Sequence, residues 1–121
     1  MVRILGNNLS NKKKVYIALT AIYGIGISTS KKILDRLQID PNLKVSELDE
    51  GNISAIRDIL ETDELQLEGD LKRLVSLNIK RLIDISSVRG RKHLKGLPVR
   101  GQRTRTNNRT SRRLGLFSRK K

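Results

Sequence analysis

From Arg89 to Lys121 the chain carries 13 Lys or Arg and not one Asp or Glu. Thirteen like charges on 33 residues repel one another and oppose collapse. The large apolar residues among them are only Leu94, Leu97, Val99, Leu114, Leu116 and Phe117. A stretch so poor in apolar surface does not offset, by itself, the entropy lost when it orders. A hydrophobic core therefore has to come from residues 1–88, where the other 13 basic residues meet all 12 acids. The net charge of +14 divides as +1 and +13. The expectation is a helical globular domain over 1–88 and an extended basic arm over 89–121 that orders on a polyanion. Nucleic acid is the commonest such partner.

Other features narrow the function class. With no cysteine, a disulfide scaffold, a thiolate zinc site and thiol catalysis are excluded, and a reducing compartment fits. No apolar run approaches membrane-spanning length. The opening MVRILGNNLSNKKK has the form of neither a signal peptide nor an amphipathic transit peptide, as expected of a protein made where it works or already mature. Tyr16, Tyr23 and Phe117 are the only aromatics. Readers of single strands stack bases on aromatic platforms, which this chain lacks. Binding should run through phosphates, close backbone approach and shape.

Hydrophobic periodicity gives four helices. Val2-Arg3-Ile4-Leu5 reads as a short strand or arm, with Gly6-Asn7-Asn8 as its turn. A first helix spans Lys14 to Tyr23, with Val15, Ala18, Leu19 and Ile22 at i, i+3, i+4 and i+7. A second, capped by Ser28 or Thr29, runs to about Leu37 with Ile33, Leu34 and Leu37 inward. Asp40-Pro41-Asn42 makes a turn. A third covers Glu50 to Glu61 on Ile53, Ile56, Ile59 and Leu60. The fourth covers Asp70 to Ile85. There Leu71, Leu74, Val75, Leu82 and Ile85 share one sector, and Ile79 and Ile83 widen the stripe as if the helix were buried on more than one side. The fold class expected is all-α. Residues 89–107, with three glycines and a proline, argue against regular structure. Thr106 or Asn107 can cap one or two helical turns through Arg113. An extended chain at roughly 3.3 Å per residue would space the basic side chains near the phosphate repeat.

Two motifs carry chemistry. Tyr23-Gly24-Ile25-Gly26-Ile27-Ser28 joins two helices in the helix, Gly-hydrophobe-Gly, helix pattern of helix–hairpin–helix nucleic-acid binders. Gly24, Ile25 and Gly26 let a backbone turn tightly and approach phosphate, with Lys31 and Lys32 adding charge nearby. The same turn can equally just join two helices, with Ile25 plugging the core, and both readings can hold together. The second motif is the Arg-rich block 89–109, whose guanidinium forks suit phosphate and guanine edges. Its glycines Gly90, Gly96 and Gly101 permit close passage between strands. His93, the only histidine, has no acid in its segment to orient it, so catalysis is not indicated. The acids Glu61, Asp63, Glu64, Glu68 and Asp70 read as a solvated loop, or one facing a basic neighbour, rather than a metal site. A free DNA-binding protein using the Gly-Ile-Gly hairpin remains an alternative. A membrane-surface polycation needs an amphipathic basic helix, which Gly and Pro interrupt between 90 and 101.

Five strings, ALTAIYGIG (18–26), EGDLKR (68–73), NIKRL (78–82), RGRKH (89–93) and GLPVRGQRTRTN (96–107), stand here in the order of one family. From Arg3 to about Arg113 the chain resembles small ribosomal subunit protein thirteen of bacterial and organellar type. That resemblance implies a helical domain with a helix–two-turn–helix core and a long basic C-terminal arm, and a structural protein of the subunit head rather than an enzyme. It implies small-subunit rRNA, small-subunit protein nineteen, bridge elements of the large subunit and P-site tRNA as partners, with no cofactor, metal, membrane or small-molecule substrate. Carried onto this sequence, Arg89, Arg91, Lys92, His93, Lys95, Arg100, Gly101, Gln102, Arg103, Thr104, Arg105, Thr106, Asn107, Asn108 and Arg109 would line rRNA. Arg112, Arg113, Arg119, Lys120 and Lys121 would point toward tRNA. Ser86-Ser87-Val88 replaces the family's more usual Cys-Tyr, and SRRLGLFSRKK differs from its common Lys- and Pro-rich end. These departures suggest the ribosome of an organelle, plastid or mitochondrion, rather than of a bacterial cytoplasm.

Overall fold

The chain opens on a hairpin. In the computed structural model, which describes residues 2–114, β1 (Val2–Ile4) pairs antiparallel with β2 (Asn7–Leu9). Val2 lies opposite Leu9, Arg3 opposite Asn8 and Ile4 opposite Asn7. The turn expected at Gly6-Asn7-Asn8 is instead the two-residue loop Leu5-Gly6, with φ of +46° and +80°. Positive φ at both loop positions gives the turn whose twist matches the flanking strands. Glycine adopts it freely, whereas Leu5 does so against its own Cβ. Asn7 and Asn8 thereby enter the second strand, and strand alternation turns Ile4 and Leu9 into the core. The fold is thus mostly helical with a short N-terminal β-hairpin, not purely α.

The first expected helix forms one α turn, α1 (Val15–Ala18), then tightens into a 3₁₀ turn over Leu19–Ala21. It ends before Tyr23 because Ile22 is extended, and its four apolar positions are all buried. The next helix, α2 (Ile27–Arg36), is capped by Gly26 rather than by Ser28 or Thr29, and no side chain caps it. Ser30 is fully buried, its hydroxyl donating to the Tyr16 carbonyl at 2.9 Å and so tying α2 to α1. The Asp40 turn closes through the Leu43 N–H donating to the Asp40 carbonyl at 3.2 Å. After an unforeseen 3₁₀ turn at Val45–Glu47 comes α3 (Glu50–Thr62), where the Asp49 carboxylate accepts from the Glu50 N–H. The α3 face puts Ile56 and Leu60 in the core, with Ile59 packed against it.

The last long helix, α4 (Glu68–Asp84), starts two residues early. The chain divides into two compact units within α4, between Leu71 and Lys72. Among the described residues every buried apolar side chain lies in the first unit, from Ile4 to Leu67. Each large one contributes about 1.5–3 kcal/mol on burial. The burial expected for α4 on more than one side does not occur. Its stripe is present, but no α4 residue is buried, and Leu74, Val75 and Leu77 are exposed. Periodicity reports that one face is apolar, not that this chain covers it.

Candidate nucleic-acid interface

The second unit is organised by helix ends rather than by a core. Ser86 adopts φ +57° just past α4, its N–H donating to the Ile83 carbonyl at 2.9 Å. The Ser87 N–H donates to the Leu82 carbonyl at 3.2 Å, completing a Schellman stop with serine where glycine is usual. Ser87 then starts a helix that composition argued against, α5 (Val88–Lys95). Its hydroxyl donates to the Leu82 carbonyl at 2.8 Å and accepts from the Gly90 N–H at 3.0 Å. Gly96, at φ +68°, ends α5 through a second Schellman pair. The Gly96 N–H donates to His93 at 3.1 Å, and the Leu97 N–H donates to Lys92 at 2.9 Å. Two of the three glycines taken to loosen this segment therefore build it.

Gly90 serves the packing of the chain on itself. It is buried, and a Cβ there would meet the Leu82 carbonyl oxygen at 2.2 Å. Its missing side chain lets the two helix backbones cross. Gly101, at φ +76° with nothing within 4 Å of its absent Cβ, keeps an open approach. The sequence signal for this corner was Ser87, an N-cap residue placed three positions before Gly90. It was outweighed by the low helix propensity of glycine.

Beyond α5 the expected extended course is interrupted again. A one-and-a-half-turn helix, α6 (Arg109–Leu114), begins with the Arg112 N–H donating to the Asn108 carbonyl at 3.3 Å. Asn108 thus takes the cap position expected of Thr106 or Asn107, and Asn107 is left-handed at φ +59°. The Ser111 hydroxyl donates to the Gly96 carbonyl at 3.0 Å, closing residues 97–110 into a loop. This loop surrounds an open hollow of about 710 Å³. Of the expected rRNA residues, the hollow gathers His93, Arg100, Gln102, Arg103, Thr106 and Asn107. Leu97, Pro98, Val99, Thr110 and Ser111, which sequence reasoning did not single out, also line it. Gln102 accepts from the Arg100 N–H at 3.1 Å, fixing the rim.

The others lie outside the hollow. Arg89, Arg91, Lys95, Gly101, Thr104, Arg105 and Arg109 are exposed, while Lys92 and Asn108 are half-buried. Lys92, His93 and Lys95 occupy the last turn of α5, where the helix dipole favours cations. Arg112 and Arg113 are exposed on α6. Arg119, Lys120 and Lys121, with Leu116 and Phe117, lie outside the described residues.

In the first unit the Gly24-Ile25-Gly26 hairpin is packed from within. Ile25 is buried in the core. Gly24 sits at φ +105°, and a Cβ there would meet Leu71 at 2.9 Å and Leu67 at 3.0 Å. Gly26 has open space around it. Lys32 is exposed, and the Lys31 ammonium lies 5.5 Å from the centre of the Tyr16 ring. Of the acids from Glu61 to Asp70, Asp63 and Glu68 serve structure, while Glu61, Glu64 and Asp70 are exposed. Asp63 binds Arg36 at 2.8 Å, and the Glu68 carboxylate accepts from Asn7 at 2.6 Å and from the Tyr23 N–H at 2.7 Å. Among the described residues no group of His, Asp or Glu is arranged to hold a metal ion, and no helix is long and apolar enough to cross a membrane.

A family model described as ribosomal protein S13/S18 matches residues 3–110. The chain is 54% identical over 112 residues to small ribosomal subunit protein uS13c of Pyropia yezoensis, covering 93% of this chain and 88% of that one. The same identity and shares hold for uS13c of Cyanophora paradoxa. Against small ribosomal subunit protein uS13 of Thermomicrobium roseum the identity is 56% over 110 residues, covering 91% and 85%.

Proposed function

We propose that this chain, which belongs to the ribosomal protein S13/S18 family and is a structural component of the small ribosomal subunit, grips head rRNA with residues 89–109. The family consists of structural RNA-binding proteins, not enzymes. The observation that carries the reading is the loop closed by Ser111 on Gly96, which gathers His93, Arg100, Gln102, Arg103, Thr106 and Asn107 around one hollow in a segment without a carboxylate. Guanidinium forks there suit phosphate oxygens, and the amide and hydroxyl groups suit sugar and base edges.

The finer assignments rest on the family resemblance. In this reading α1, the Gly24-Ile25-Gly26 turn and α2 act as a helix–two-turn–helix core, with Gly26, Lys31 and Lys32 next to phosphate. The first domain pairs with small-subunit protein nineteen and contributes to bridges with the large subunit. Arg112 and Arg113, exposed on α6, lead toward P-site tRNA, followed by Arg119, Lys120 and Lys121. The setting is an organellar ribosome, a reading that two relatives named uS13c, from Pyropia yezoensis and Cyanophora paradoxa, support.

The test is Arg100→Ala with Arg103→Ala in the full chain, titrated against head-domain small-subunit rRNA. Charge-assisted contacts of about 1.5–3 kcal/mol each predict at least a tenfold loss of affinity with unchanged thermal melting of the first unit. Parent-like affinity at physiological salt would remove these two arginines from the interface.

A further inference from the structure

We infer that the first unit carries a second phosphate-binding surface, built by Lys12, Lys13, Lys14 and Lys44, which holds RNA independently of residues 89–109. The fold creates this surface. Lys14 and Lys44 are 30 residues apart in sequence yet stand opposite one another in an isolated antiparallel bridge. The Val15 N–H donates to the Leu43 carbonyl at 2.8 Å, and the Val45 N–H donates to the Lys13 carbonyl at 3.1 Å. That pattern makes Lys14–Lys44 a non-hydrogen-bonded pair, the kind whose side chains lie closest. Like charges directly opposite on paired strands are destabilising. Lys12 and Lys13, next to Lys14 in sequence, are exposed as well.

Among the described residues no carboxylate pairs directly with these four ammonium groups. The acids closest in sequence are turned onto backbone amides. Asp40 accepts from the Asn42 N–H at 2.9 Å, Glu47 from the Lys44 N–H at 3.2 Å and Asp49 from the Glu50 N–H at 3.0 Å. The Lys14 ammonium donates to the Asn42 side-chain oxygen at 3.1 Å, a neutral partner. Residues 1–71 hold 9 basic and 11 acidic side chains, so four of the nine bases lie at this bridge or beside it in sequence within an otherwise acidic unit.

The neighbours of the ridge choose RNA over an acidic protein. Ser10, Asn11, Asn42 and Ser46 are exposed among the lysines. Short hydroxyl and amide side chains beside ammonium groups are the contacts that phosphate and sugar take. A protein interface centres on aromatic or aliphatic anchors with charge depleted from its core, and this ridge has none among those residues.

The experiment uses the full chain with K12Q, K13Q, K14Q and K44Q combined, titrated against head-domain small-subunit rRNA across a salt series. Each lost phosphate contact lowers the slope of log affinity against log salt by roughly 0.7–0.9, so a fall of about 3 is expected, with at least a tenfold loss near physiological salt. Lys→Arg at the same positions should restore both. The pair K14Q/K44Q alone should raise the melting temperature while still lowering the slope, so a folding defect does not imitate the result. An unchanged slope and affinity overturns the inference, as does a Lys44 crosslink to an acidic protein rather than to rRNA in assembled subunits. R100A/R103A reports on residues 89–109 separately, so either surface can fail alone.

Discussion

Gly90→Ala tests whether the basic segment binds as a shape or merely as charge. A methyl group there would sit 2.2 Å from the Leu82 carbonyl oxygen, 2.4 Å from its carbon and 2.6 Å from the Ile83 nitrogen. All three are backbone atoms inside α4, so no side chain can swing aside. Ordinary contact begins near 3.4 Å, and α5 must move off α4 by about 1 Å. Overpacking of this kind costs about 1–3 kcal/mol, against roughly 1 kcal/mol gained by removing glycine from a helix interior. The displacement also breaks the Ser87–Gly90 bond, and the second unit has no buried apolar side chain among its described residues to resist it. The expected result is loss of amide protection over 88–96 by hydrogen exchange, unchanged protection over α2 and α3, and about a tenfold loss of rRNA affinity at constant net charge. Gly69→Ala is the control, with open space around its absent Cβ and no positive φ. Parent-like protection and affinity in Gly90→Ala would refute the close crossing of α5 on α4 as the basis of binding.

Three further substitutions probe the supports of each unit. Ser87→Ala removes the cap and the hydroxyl bond to Leu82. It should destabilise α5 by about 1 kcal/mol, read as faster amide exchange there. Glu68→Ala leaves the Asn7 side chain and the Tyr23 N–H without their carboxylate acceptor and should cost roughly 1.5–3 kcal/mol in urea unfolding. Leu34→Ala, at a fully buried site, should cost about 2–5 kcal/mol in the same assay.

The sequence was most legible where one physical signal acted alone. The i, i+3, i+4, i+7 spacing of Val15, Ala18, Leu19 and Ile22 marked residues that are all buried. The periodic Ile53, Ile56, Ile59 and Leu60 set the bounds of α3 to within one residue, and in the structure Asp49 caps its start. Where signals competed, tertiary geometry decided. Glycine at 90 reads as a helix breaker until the Leu82 carbonyl is placed against it. The apolar stripe of α4 promised burial, but a stripe does not say whose surface covers it. The lysine ridge was hardest to see, since only the fold brings Lys44 to Lys14.

The two units differ in what can hold them together. The first closes a core from Ile4 to Leu67 around which its charges nearly balance. Residues 72–121 carry 17 basic side chains against the single acid Asp84, and among those described none buries an apolar side chain. Helix stops, a serine cap and two serine-to-carbonyl bonds are worth about 1 kcal/mol apiece. Ordering costs about 1–2 kcal/mol for each residue's backbone. A polyanion's phosphates cancel the repulsion among these charges, and its surface adds contacts that the unit lacks. The corner at Ser87 and Gly90 therefore matters less for stability than for direction. It limits the shapes that the basic segment samples before RNA arrives, and so reduces the ordering left to be done on binding.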